Sequence, residues 1–175
     1  IRAKRTFVTS GPLLFLNVNG RDIAGEVKLR KGEPIRVRAN VRSRRRIGRL
    51  QIVSNNKVLK ETEIAGREGE LEFEMPADTS RWILARCSPG AQLRPLAGPD
   101  IAHTSAIYVE VDGRPIFVPD EARRFATRLR AHGRNVRKNA LFENEAQRAE
   151  AVGVMERGAT AFDGLVRTHA KWLRK

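Results

Sequence analysis

A chain of 175 residues, 41% of them hydrophobic, is long enough to bury one proper core and too apolar to stay disordered. No run approaches the roughly 18 to 20 apolar residues of a membrane-spanning helix, and the start at Ile1 carries no charged segment followed by an apolar stretch and a cleavage site. Thirty-four basic against twenty acidic residues give a net charge of +14, which raises an anionic partner, yet the arginines are spread over every segment and only Arg42, Arg44, Arg45, Arg46 and Arg49 gather locally.

In chain order, residues 13–18 read as a strand closed by the turn dipeptide Asn19-Gly20. Residues 34–41 alternate strictly, with Ile35, Val37, Ala39 and Val41 to one side and Arg36, Arg38 and Asn40 to the other, so this strand covers a core with one face only. The five clustered arginines follow in a Ser/Gly-containing connection. With no aromatics interleaved to stack on bases, the cluster reads as a solvated loop able to take a sulfate or phosphate and argues against a nucleic-acid surface. Residues 50–53 and 58–62 flank Ser54-Asn55-Asn56-Lys57, where asparagine tolerates the positive φ of a tight hairpin. Residues 70–75 repeat the alternation, Leu71, Phe73 and Met75 inward and three glutamates outward, which suits this strand to pair antiparallel with 34–41, arginine against glutamate.

Residues 82–87 are apolar on both faces, Ile83, Ala85 and Cys87 opposite Trp82 and Leu84, and are expected to form a central strand covered on both sides. The single Cys87 forms no intrachain disulfide and reads as a buried thiol. A Pro/Gly-rich connection, 88–99, lacks the lysine and the strand-to-helix setting of a phosphate-binding loop. Residues 107–111 then form a strand closed by Asp112-Gly113, with 115–118 returning. About seven or eight short strands at roughly 8- to 15-residue spacing, with no helix between them, predict a mainly β fold: an antiparallel, immunoglobulin-like β-sandwich over 1–118. A helical hairpin over 119–175 follows, packed on the sandwich or on another domain. Its first helix starts at Pro119-Asp120-Glu121, carries Phe125, Leu129, His132 and Val136 on one stripe and frays or ends near Gly133. The second runs from about 144 to 173 with Val152, Met155, Ala159, Phe162, Val166, His169 and Leu173 on its stripe.

Candidate chemistry is sparse. His103, His132 and His169 lie far apart, with no His-x-x-x-His or Cys-x-x-Cys spacing to hold a metal, and no carboxylate pair stands near them, so the chain itself carries no catalytic or metal set. Ser10 and Ser105 lack the context of an activated nucleophile. His103-Thr104-Ser105 opens a strand and has two readings: a cap satisfying backbone groups, or, with Thr9 and Ser10, a face turned toward an interdomain cleft.

Three segments, Arg5-Thr6-Phe7-Val8-Thr9-Ser10-Gly11-Pro12-Leu13-Leu14, then Trp82-Ile83-Leu84-Ala85-Arg86-Cys87, then Ala102-His103-Thr104-Ser105-Ala106-Ile107-Tyr108-Val109 with Asp112-Gly113-Arg114-Pro115, resemble in that order the C-terminal part of CehA/McbA-type metallohydrolases, relatives of the PHP phosphoesterases. Phe142-Glu143-Asn144-Glu145-Ala146-Gln147-Arg148 fits the same pattern, while Ala106 departs from it where proline is usual. The resemblance implies an N-terminal barrel outside this chain that holds divalent metals for hydrolysis. Residues 1–12 would be its exit segment and this chain the accessory module packed against it. No cofactor and no catalytic residue carries over onto this sequence. The alternative is an independent binding module for carbohydrate or protein, with nucleic acid through the arginine-rich connection as a third reading. Oligomeric state and localisation stay open.

Overall fold

A strand whose side chains alternate apolar and charged can bury only one face, and the unit Ile1–Ile116 meets that demand with two sheets over a shared apolar core. The computed structural model describes residues 2, 6–89 and 101–172, so Arg5, the connection expected at 90–99 and Leu173 lie outside the described residues. Eleven strands follow in chain order: β1 (Phe7–Thr9), β2 (Leu13–Val18), β3 (Arg21–Asp22), β4 (Glu26–Leu29), β5 (Pro34–Arg42), β6 (Arg49–Ser54), β7 (Lys57–Glu63), β8 (Glu68–Pro76), β9 (Arg81–Ser88), β10 (Ala102–Thr104) and β11 (Ile107–Val111). One sheet has the order β3-β2-β5-β8. In the other, β10 and β11 share one edge of β9, β6 takes the opposite edge with β7 beyond it, β1 lies outside β10 and β4 outside β11.

The expected pairing of the two alternating strands is present. β5 and β8 run antiparallel with Arg36 opposite Glu74, Arg38 opposite Glu72 and Arg42 opposite Glu68. Arg36 Nε reaches the Glu74 carboxylate at 2.9 Å, Arg42 approaches Glu68 at 4.0 Å, and Arg38 bonds diagonally to Glu70 rather than to the residue facing it. Beneath them Ile35, Val37, Ala39 and Val41 are fully buried with Leu14, Leu16, Val18 and Leu71, against Ile52, Ile83, Ala85, Ile107 and Val109 of the facing sheet. Each large side chain of this set contributes about 1.5–3 kcal/mol by leaving water.

Three turns have two successive residues at positive φ, Asn19-Gly20, Asn55-Asn56 and Asp112-Gly113, the backbone that matches the twist of a two-residue hairpin. Asn56, at φ 65°, is the most demanding of the non-glycine positions in these turns. Replacing it with glycine should leave thermal stability equal or slightly raised, whereas Asn56→Val, β-branched in a left-handed conformation, should cost about 1–3 kcal/mol in a denaturant titration.

The structure corrects the sequence reading at several points. The described residues hold eleven strands where seven or eight were expected. The additions are short β1, β3 and β4, and a bulge divides the 102–111 segment: from His103 to Ile107 it advances four residues while its partner β9 advances three, from Arg86 to Ile83. The sheets are not wholly antiparallel, since β4 runs parallel to β11. The return strand expected at 115–118 is reduced to a single bridge, Val111 with Arg114, because Pro115 has no N–H to continue a ladder. β9 is central, but only its inward face is fully buried; Trp82 and Leu84 are half-buried and Arg86 is exposed.

The unit Phe117–Lys175 consists of α1 (Pro119–Asn139) and α2 (Glu145–Trp172) packed as a pair. Pro119 and the carboxylates Asp120 and Glu121 occupy the first turn of α1 as expected. Gly133 neither ends nor frays α1. It is buried against α2, where a Cβ would sit in ordinary van der Waals contact with Met155 at 3.4 Å. His132 and Phe125 fall on exposed positions; the buried stripe is instead Ala122, Ala126 and Gly133, with Leu129 and Val136 half-buried. The stripe read on α2 holds for Val152, Met155, Ala159, Phe162, Val166 and His169, all buried or half-buried. Arg130 joins the helices by donating to Asp163 at 2.7 Å and Glu156 at 3.3 Å, and these two carboxylates hold its guanidinium above its ordinary pKa.

Candidate functional site

Hydroxyl groups tie the N-terminal strand to β10 at one edge of the second sheet. β1 and β10 pair antiparallel, Phe7 with Thr104, Val8 with His103 and Thr9 with Ala102. The Ser10 amide donates to the Ile101 carbonyl at 2.9 Å, and the Ile101 amide returns a bond to Ser10 Oγ at 2.9 Å. At the other end of the pair the Ser105 amide donates to the Thr6 carbonyl at 3.0 Å and the two hydroxyls of these residues lie 3.1 Å apart. Thr9 Oγ1 accepts from Gly11 N–H and donates to the Pro12 carbonyl, which bends the chain so that β2 enters the opposite sheet.

The five residues read as cleft-facing therefore come together at one sheet edge with different roles. Thr104 points into the core, where its Oγ1 accepts the Ala85 amide at 3.1 Å and replaces a ladder bond next to the bulge. His103 is exposed on the outward face between Val8 and Arg86, its Nδ1 3.4 Å from the Thr104 carbonyl. Across the sheet this row continues as Arg86, Gln51 and Glu61: Arg86 Nε donates to Gln51 Oε1 at 2.6 Å, and Gln51 donates to Glu61. Val8 and Ile101 are 59% and 45% exposed and lie with His103 on the outward face, while Phe7, 40% exposed, is paired with Thr104 and lies on the other face of the same edge. Among the described residues no three His, Cys, Asp or Glu side chains converge as a metal site.

Three of the five arginines of the 42–49 region have separate partners. Arg42 faces Glu68, Arg49 lies 3.8 Å from Glu61, and Arg46 donates to the Ala65 carbonyl at 2.8 Å, while Ile47 between them is buried. Sequence reasoning missed a different grouping, Glu26, Lys28, Tyr108, Glu110 and Arg114, which line a cavity of about 230 Å³. Alternation within 26–29 and 107–111 was there to be read; the parallel pairing that joins them was not.

No known protein family matches the chain, and no curated protein matches its sequence. Among solved structures it is similar to the CARDB domain of a Pyrococcus furiosus protein, with 16% identity over 59% of this chain and 98% of that one at a TM-score of 0.39. It is also similar to fibronectin(III)-like modules of CbhA from Clostridium thermocellum, with 16% identity over 55% of this chain and 97% of that one at a TM-score of 0.35. A chitin binding domain from Burkholderia pseudomallei is a third, with 13% identity over 49% of this chain and 56% of that one at a TM-score of 0.33. Likenesses this distant say nothing further about what this chain does.

Proposed function

We propose that this chain is a non-catalytic module that packs against a metal-dependent, PHP-like hydrolase domain of the same polypeptide and helps to shape its cleft. The observation that carries the reading is the β1–β10 edge. Two of the segments that resemble the CehA/McbA-type enzymes, 5–14 and 102–109, lie far apart in sequence yet pair in register there, bound by Ser10 to Ile101 and by Thr6 to Ser105. An edge held this firmly, with Val8 and Ile101 exposed on the same face as His103, suits a fixed docking surface better than a loose tail. The sheet order β3-β2-β5-β8 facing β7-β6-β9-β11 supports an immunoglobulin-like sandwich as its scaffold.

Two measurements test the reading. The genomic reading frame upstream of Ile1 should encode a His/Asp-rich domain; a frame that opens within a few residues of Ile1 removes the proposal. The isolated chain with added manganese or zinc should hydrolyse bis(p-nitrophenyl) phosphate no faster than background, and turnover abolished by a chelator would show that it carries its own chemistry.

A further inference from the structure

We infer that the outward face of the second sheet, where β4 meets β11, is a saccharide-binding site built on Tyr108 with Glu26, Lys28, Glu110 and Arg114. In the parallel register Tyr108 stands opposite Glu26 and Glu110 opposite Lys28, so alternation brings these four side chains out on one face. Arg114 joins them from the turn that follows β11, and with Pro115 and Ile116 they line the cavity of about 230 Å³. That volume lies below the usual range for drug-sized ligands and suits one small ring unit or the side of a chain.

The polar groups here are uncommitted. None of the side chains of Glu26, Lys28, Tyr108, Glu110 or Arg114 bonds to another described residue. The larger cavity on the first sheet, about 630 Å³, is lined by Arg38, Arg42, Glu68 and Glu70, which satisfy one another as ion pairs. Two carboxylates and two cations also cancel, so the site favours neither an anion nor a cation. It fits a neutral ligand whose groups both donate and accept, which is what hydroxyls on a sugar ring do. Tyr108 is 47% exposed and has Trp82 as its cross-strand partner, so an aromatic surface lies beside the polar groups for the C–H face of a pyranose.

The frame beneath is rigid. Ser80 Oγ accepts the Val111 amide at 2.8 Å and donates to the Arg114 carbonyl at 2.6 Å, and the Lys31 amide donates to Asp112 Oδ1 at 3.1 Å. Gly25 sets the start of β4 by donating to the Asp22 carbonyl; a Cβ on it would lie 2.7 Å from that oxygen, so glycine is required. The site needs no second domain and stands whether or not the docking role does.

Amide NMR of the 175-residue chain, titrated separately with hexamers of β-linked glucose, β-linked N-acetylglucosamine, β-linked xylose and α-linked glucose, tests the inference. At least one sugar should give saturable shifts confined to 25–29 and 107–116, with a micromolar to millimolar Kd that does not change from low to high salt. Tyr108→Ala should weaken binding at least about tenfold with an unchanged melting temperature, and Glu110→Gln several-fold. No shift with any of the four sugars, binding undiminished in both variants, or an affinity that falls steeply with salt would overturn it.

Discussion

Ile83→Ala should lower the stability of the two-sheet unit by about 3–4 kcal/mol and its melting temperature by on the order of 10 °C. Ile83 is fully buried in β9, opposite Ile107, the first residue of β11, on one side and Ser54, the last of β6, on the other. The neighbouring strands are both laddered to β9 at this residue, and Ile35, Val37 and Val109 are fully buried in the same core, so the site has little room to collapse into the gap the lost atoms would leave. Because typical domains are stable by only about 5–15 kcal/mol, the variant would sit near the edge of folding. Leu84, one residue on and half-buried, should cost less than half as much when cut to alanine. Urea unfolding followed by Trp82 fluorescence, in a Trp172→Phe background so that one indole reports, separates the two. Equal losses would mean that β9 is buried on both faces after all.

Thr104→Val should cost about 1–3 kcal/mol although it changes neither size nor shape. Its hydroxyl accepts the Ala85 amide in the core, and valine would leave that N–H buried with no acceptor. Thr104→Ser keeps the oxygen and loses only a methyl group, worth about 0.8 kcal/mol. Hydrogen exchange reads the difference directly: the Ala85 amide should lose protection in the valine variant and keep it in the serine variant. Protection unchanged in the valine variant would assign Thr104 a packing role only.

How much of this was legible in the amino-acid sequence varies with the range of the interaction. The alternation in β5 and β8 gave both the buried face and the antiparallel pairing of arginine against glutamate, because each strand carries its own two-sided pattern, while the register that puts Arg36 opposite Glu74 came from the structure. The three turns were equally readable, since Asn-Gly, Asn-Asn and Asp-Gly tolerate a backbone few other residues accept. β4 was not: four residues, Glu26-Val27-Lys28-Leu29, earn their place only by lying parallel to a strand at the other end of the unit. The same limit hid the candidate site. Tyr108 and Glu110 could be assigned to the outward face, but nothing local said that Glu26 and Lys28 would stand beside them. Thr104 belongs to this class as well, because its role depends on a bulge whose partner residue is Ala85. Gly133 misled for the opposite reason. Its low helix propensity was plain, and its burial against α2 in the middle of a continuous helix was not.

The parallel contact between β4 and β11 also bears on how the chain folds. Val27 waits for Val109, and Val8 for His103, so two of the outer strands of the second sheet, β4 and β1, are completed only when residues from the far end of the unit arrive. Contacts this distant in sequence slow folding into the millisecond-to-second range. During synthesis the first nine strands leave the ribosome before their closing partner does, with Phe7 and Val8 uncovered. The last-made segment acts as a clasp, and a chain stopped short of Ile107 would be a sheet with an open side that aggregates instead of a smaller stable domain.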